Sequence, residues 1–465
     1  MSPPLLIALG FIVLILALIV LFAPKWAVLL IWPIWLCYPQ RLFFGLLPWN
    51  AGLDDVFVLI IVARMLFVPA KPGAAPWARN AVWLIAGLVL VEAIGNYTGT
   101  LRYPGLWRVA TRDTLKGGVL LLATLAFALD VRRPEDVKRH AVAFLLSGSL
   151  AFLIVLLCYG YPSQARYWEA PTMTEAGTFW LGTALHRAVG PFNDTGDVGA
   201  AAAFMVPVGL ALVILRPRQA APFLLGLIAM AMAATGLAVS KSRQGILGLS
   251  GMFAVMLLVS RWRWYVILLG IAGVLVALFM ASAYTETAEV LEQRFTWASL
   301  TAALAKRADL WKLVITNSTP AVILCGEGWM TNFLRLQASP HNAYLDALFL
   351  WGIGGVAVFS ILVYSVFKWS RYVAKYDPDA LSRALGWGGL WAGVAILFLS
   401  LVTDTWIKDV TRFMTSFGLV LLCMRYQVLR YAAPAYVEPD EGAGRGWNRE
   451  FRRGTASQPL LERGC

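Results

Sequence analysis

Charge is scarce in this sequence. Asp, Glu, Lys and Arg together make up 14% of its 465 residues, against about 25% in soluble globular domains. With so few charged side chains, 59% hydrophobic residues and twenty tryptophans, the chain cannot hide its apolar surface from water. Soluble enzymes, nucleic-acid-binding proteins and disordered scaffolds are excluded. Histidine is nearly absent, at three residues: His140, His186 and His341. The five cysteines (Cys37, Cys158, Cys325, Cys423 and Cys465) show no CxxC or CxxH spacing, so no thiolate metal site or dithiol redox motif is implied. No internal repeat is apparent.

What the sequence has in quantity is long apolar runs. They fall near 4–23, 26–38, 55–68, 81–94, 115–129, 141–159, 198–215, 221–239, 245–259, 265–281, 342–366, 386–401 and 406–423. The expectation is an all-α polytopic membrane protein of about 12–13 transmembrane helices, the run 26–38 being short and broken by Pro33. The first run lacks a basic segment before it and exceeds the roughly 7–15 residues of a signal-peptide core, so it reads as a retained span.

The formal charge of +13 is read as topology rather than as a nucleic-acid signal. Basic connections occur at 131–140 (VRRPEDVKRH), 216–218 (RPR), 261–263 (RWR) and 368–383. Alternation puts all four on one side, which the positive-inside rule makes cytoplasmic. The segments 160–193, 240–243, 284–341 and 403–409 are then periplasmic. Residues 1–430 form the membrane domain, with its large periplasmic loop at 284–341, and 431–465 form a polar, disordered cytoplasmic tail. In the loop, Leu300, Leu304, Ala308, Trp311 and Ile315 recur at helical spacing. They predict an amphipathic helix, lying either on the outer membrane face or against the other spans.

Chemistry is sought where charge breaks the rules. Lys241 and Arg243, in VSKSRQG, stand at the periplasmic start of a helix. Cations are disfavoured both on that side and at a helix N-terminus. A bound anion resolves both conflicts, since free N–H groups and a guanidinium together form a phosphate site; a Lys/Arg pair snorkelling to the headgroups is the bland alternative. His341, in SPHNAYLDAL, stands at another such start, with Ser339 as expected N-cap and Pro340 as first helical residue. There the positive helix end favours the neutral imidazole that a general base requires. A third start follows HRAVGPFNDTGD, where Asn193, Asp194 or Thr195 can cap, and Arg187 beside His186 is a second anion contact. Three positive helix ends at one face point to a bound polyanion.

Other features are weaker. Arg307 can reach a headgroup or a substrate phosphate, and Arg102, Arg108 and Arg112 can guide an anionic lipid. Asp54 and Asp55, at a span start where carboxylates suit the helix dipole, read as capping residues in preference to metal ligands. Glu92, Arg64 and Asp346 are candidate intramembrane charges. The periplasmic segments hold no DxD or His/Asp cluster, so a divalent-metal transferase is not favoured.

At these residues the sequence resembles the O-antigen ligase and polysaccharide polymerase superfamily. SRQG at Arg243, RADLWKLVITNSTPAVILCGEGW, and SPHNAYLDAL at His341 resemble the family's motifs in order and spacing, and RAVGPFND resembles its upstream Arg-containing segment. The motifs cover roughly 187–348. Gln244 departs from the small residue usual after the arginine, and Asp194 follows Asn193 where Pro-Asn is common nearby. The resemblance implies a metal-independent, cofactor-free, inverting glycosyltransferase of a bacterial inner membrane, its site facing the periplasm. The implied donor is a glycan on undecaprenyl diphosphate. The implied acceptor is a sugar of lipid A–core for an O-antigen ligase, or a lipid-linked repeat unit for a polymerase. Carried onto this chain, His341 is the base, Arg243, Arg187, Lys241 and Arg307 contact the diphosphate, and Asn342, Tyr344 and Asn193 support them. A polysaccharide or lipid flippase is the alternative of another class; it calls for mid-bilayer charges and repeated halves.

Overall fold

The computed structural model describes residues 24–37, 53–67, 78–131, 133–161, 188–192, 194–215, 220–259, 296–328, 341–403 and 409–431, with isolated residues between them and before residue 24. The expected spans 4–23 (in the main) and 265–281, most of the segment 160–193, and the tail beyond Tyr431 lie outside the described residues.

The elements are helices: α1 (Pro24–Cys37), α2 (Leu53–Phe67), α3 (Arg79–Arg102), α4 (Trp107–Asp130), α5 (Pro134–Gly160), α6 (Thr195–Leu215), α7 (Ala220–Ser240), α8 (Arg243–Leu258), α9 (Trp297–Thr316), α10 (Pro320–Cys325), α11 (Ala343–Tyr376), α12 (Ala380–Ser400) and α13 (Asp409–Tyr431). No strand occurs among the described residues. Among the described residues, six helices (α3, α5, α6, α7, α11 and α12) are long and apolar enough to cross a membrane. The chain is an all-α, multi-pass membrane protein. α1 and α8 are shorter apolar helices; α4 and α13 are long but carry charges along their length. Pro33, expected to break the second run, sits inside a continuous α1.

Residues at the helix starts account for several of these boundaries. Pro134 opens α5 after Arg133, whose backbone N–H donates to Asp136 at 2.8 Å and completes a capping box. Asp379 caps α12 by accepting from Ser382 N at 2.9 Å. The centre of the bundle is α6, whose GAAAAF stretch is almost entirely buried. Small residues let neighbouring backbones approach where apolar lipid offers no hydrophobic drive between helices. On the other side, Trp32 of α1 packs edge-on against Phe127, Phe413 and Phe417, joining α1 to α4 and α13. The indole N–H of Trp32 donates to His140 Nδ1 (3.3 Å), and His140 Nε2 lies 3.1 Å from Asp130. His140 is thereby a structural residue linking three helices.

The two ends of the bundle differ in charge. At the basic end, Arg425 of α13 makes a bidentate pair with Asp377 (2.7 and 2.5 Å), and Lys138 of α5 pairs with Asp379 (2.7 Å). Deeper in, Arg412 of α13 forms a bidentate, buried pair with Glu92 of α3. The sequence singled out Glu92 but not Arg412.

α11 is a broken helix. Gly352 has φ 69°, a conformation open to glycine, and a Cβ there would stand 2.4 Å from Leu324 O. Carbonyls near the break are taken by the CGEG turn after α10: Glu327 N donates to Phe349 O and Gly328 N to Leu350 O, each at 3.1 Å. Backbone groups freed by the break are thus satisfied by protein.

Candidate functional site

The site lies at the end opposite the basic connections and is built from helix starts. Ser242 caps α8, accepting from Gly245 N at 3.4 Å, and Arg243 is its first residue. Asn342 caps α11, with Oδ1 accepting from Tyr344 N (3.0 Å) and Leu345 N (3.1 Å). This corrects the expected cap. Ser339 and Pro340 lie outside the described residues, and helical geometry begins at Ala343. Asn342 takes the role because one side-chain oxygen reaches two orphan N–H groups. His341 therefore precedes the cap instead of sitting in the first turn. Asp194 Oδ1 accepts from Asp197 N at 2.9 Å at the start of α6, one of the three caps the sequence offered.

Two non-glycine residues among the described residues have positive φ: Lys241 at 53° and His341 at 49°. Each immediately precedes an N-cap, and each is a residue singled out from the sequence. The left-handed conformation costs a side-chain-bearing residue about 1 kcal/mol or more. Such strain persists where surrounding contacts hold it, and those contacts are present. Gln244 Nε2 donates to Val402 O at 3.3 Å, and Asn342 Nδ2 donates to Leu401 O at 3.2 Å. The starts of α8 and α11 hang on adjacent carbonyls of the turn that ends α12. α6 joins them through Gly199, where an added Cβ would meet Ser242 Oγ at 2.7 Å and Gly245 N at 2.9 Å. All three expected helix ends thus meet in one place.

Charges at this end are mixed. His341 is exposed and Arg243 half-buried, while Lys241 is 1% exposed. Asp197 and Asp346, in the first turns of α6 and α11, are also enclosed. Asp197 was missed from the sequence, and Asp346 was weighed only as an intramembrane charge. A carboxylate in the first turn of an otherwise apolar helix was the available signal. Asn342 and Tyr344 act on the scaffold: Tyr344 donates its hydroxyl to Leu397 O of α12 at 3.0 Å.

α9 carries the helical stretch in which the stripe is expected, with Trp311 of the stripe half-buried. Leu304 and Ile315 are exposed, as is Ala308, whereas Val314 is buried against Val322 and Phe349. Arg307, half-buried, stands seven residues before Val314 and so on the same face, the one turned toward α11. The helix packs by one face and leaves Leu304, Ala308 and Ile315 open. Arg187, His186 and Asn193 lie outside the described residues. Among the described residues no group of three His, Cys, Asp or Glu is placed to hold a metal ion.

Next to the site, α1, α5, α6, α11, α12 and α13 border an apolar cavity of about 120 Å³. Its wall includes Ser382 and Arg425 at the basic end and reaches Leu397, whose carbonyl receives the Tyr344 hydroxyl. Its dimension along α12 is about 22 Å at 1.5 Å per residue from Ser382 to Leu397. His341 and Arg243 are not part of that wall. No protein-family model matches the chain, and no curated protein matches it.

Proposed function

We propose that the chain is a membrane glycosyltransferase of the O-antigen ligase type, moving a glycan from undecaprenyl diphosphate to a periplasmic sugar hydroxyl. The observation that carries the reading is the pairing of the helix starts. An imidazole and a guanidinium stand at two positive helix ends, and residues beside them are tied to adjacent carbonyls, Leu401 O and Val402 O. In the reaction, His341 takes the proton of the acceptor hydroxyl. The new oxygen–carbon bond forms at the anomeric carbon as the bond to the diphosphate oxygen breaks on the opposite face, inverting the centre. The diphosphate departs as an anion, so no general acid is needed. Arg243, at the positive end of α8, receives the growing negative charge, with Arg187, Lys241 and Arg307 as further cations. The remaining finer assignments, about 12–13 spans, a large periplasmic loop and an inner-membrane location, belong to the same proposal.

A flippase is the second reading, and a specific observation favours it. The break of α11 at Gly352 and the buried Glu92–Arg412 pair are features that transporters use for coupling. The deciding experiment complements a deletion strain with wild type or His341→Ala and resolves its glycolipids on a gel. Bare lipid A–core with lipid-linked polymer accumulating means a ligase. Core capped by a single repeat, or loss of long exopolysaccharide, means a polymerase. Loss of lipid translocation equal to the loss of transfer selects the flippase, and a wild-type pattern from His341→Ala at normal protein level removes the base from the mechanism.

A further inference from the structure

At the basic end, far from the helix starts, α3, α11 and α13 border a cleft of about 420 Å³. Its lining contains two cations, Lys368 and Arg430, and no carboxylate. Both cations are set on aromatic rings. Lys368 Nζ lies 5.5 Å above the Tyr364 ring; the Arg430 guanidinium lies 5.9 Å from the Tyr426 ring and donates to its hydroxyl at 2.7 Å. Trp83 completes the mouth, and Trp83 and Tyr364 are 65% and 63% exposed.

The surroundings say what kind of anion fits. α3 and α11 pack side by side: a Cβ on Gly87 would meet Val358 at 3.6 Å, and one on Gly354 would meet Val91 at 3.2 Å. Flanking this seam, Trp83, Leu90 and Ile94 form one exposed apolar face of α3 at helical spacing. Ile353, Ile361 and Tyr364 form the matching face of α11. Two apolar tracks therefore run along the bundle and end at a carboxylate-free cationic cleft rimmed by Trp and Tyr. That is the order of chemistry met on passing from acyl chain to headgroup in one leaflet.

We propose that this cleft binds an anionic phospholipid from the leaflet at the basic end, its phosphate between Lys368 and Arg430 and its acyl chains along the two apolar tracks. A soluble anion would have no use for the tracks, and a zwitterionic lipid would bring its own cation against Lys368 and Arg430. The site is separate from the proposed transfer chemistry and stands whether the chain is a transferase or a flippase.

The test uses the purified full-length protein in detergent, read by thermal unfolding and by native mass spectrometry of retained lipid. Phosphatidylglycerol is expected to raise Tm by several degrees and to stay bound, as a ligand selective for the folded state must. Phosphatidylcholine and inorganic phosphate are expected to do neither. Lys368→Gln, at an exposed position, is expected to weaken phosphatidylglycerol binding about fivefold, the effect of one cation near the surface. Lys368→Gln combined with Arg430→Gln is expected to abolish the shift. Lys375→Gln removes a cation that sits over Tyr376 outside the cleft, and it should respond as wild type. An equal response to phosphatidylcholine, a full response to phosphate alone, or a wild-type response from Lys368→Gln would overturn the proposal.

Discussion

Gly245 of α8 stands against Gly199 of α6 so closely that a Cβ on Gly245 would lie 2.6 Å from the Gly199 Cα. Backbone meets backbone there, and the helix start bearing Arg243 is thereby joined to the start capped by Asp194. Gly245→Ala and Gly199→Ala are each expected to lower stability by at least about 1–3 kcal/mol, because neither helix can yield locally. If the proposed glycan transfer is the activity, it should fall with them. Gly118→Ala, on α4 with nothing within 4 Å, serves as the control and should leave Tm unchanged or slightly raised. Comparing the Tm of the three variants at equal expression checks this.

Asn342 does two jobs with two atoms, and they can be separated. Asn342→Asp keeps an oxygen for the Tyr344 and Leu345 amides but loses the donor to Leu401 O. It should fold with α11 intact, at a cost of about 1–2 kcal/mol for the orphaned carbonyl. Transfer should drop because the His341 end is no longer tied to the Gln244 end. Asn342→Ala loses the cap as well and should cost about 0.5–2 kcal/mol more. Tm and transfer measured on both variants would show whether activity follows the interhelical bond or the cap.

The Glu92–Arg412 pair joins residues 320 apart in sequence inside the bundle. Glu92→Gln or Arg412→Met alone leaves a buried charge without its counter-ion and should destabilise by about 3–5 kcal/mol. Glu92→Leu with Arg412→Met should recover most of that loss. A double-mutant cycle in Tm measures the coupling. Recovery of stability with translocation or transfer still absent would assign the pair a functional role beyond packing.

Asp379 provides the pH prediction. Burial alone would raise its carboxyl, but hydrogen bonds from Lys138 and Ser382 and the Lys138 charge outweigh burial and hold it below the usual range. Its contribution is therefore complete above the unfolded value near 3.8 and is lost as pH falls through the lower folded value. The half-exposed pair should be worth no more than about 1 kcal/mol. Asp379→Asn retains the cap of α12, since Asn caps as well as Asp, while losing the charge. Its Tm should fall below that of wild type at neutral pH, and the gap should close as the pH drops from about 3.8 through the lower folded value.

Much of the scaffold was legible because spanning helices announce themselves locally. Apolar runs, a cap at the start of α6 and Arg243 at the head of α8 depend on residues within a turn or two of one another, whereas α5 begins at Pro134, inside the stretch read as a basic connection. The misplaced cap at Ser339 shows where that locality ends. Ser-Pro is a good start in isolation, and Asn342 prevails because it also reaches Leu401, 59 residues away. Gln244, read as a departure from the family pattern, supplies the bond to Val402, 158 residues away.

By itself the sequence determined that the chain is a membrane bundle, roughly where its apolar helices run, and that cations and a histidine stand beside helix starts away from the basic connections. Composition and 3.6-residue periodicity carry that information, because hydrocarbon forces each span to satisfy its own backbone. Only the tertiary structure decided that the α6, α8 and α11 starts meet, that Asp197 and Asp346 are buried among them, that Arg412 answers Glu92, and which face α9 turns to the protein. Those relations rest on glycine contacts and single hydrogen bonds between segments distant in sequence, and no local pattern encodes a partner more than a few turns away.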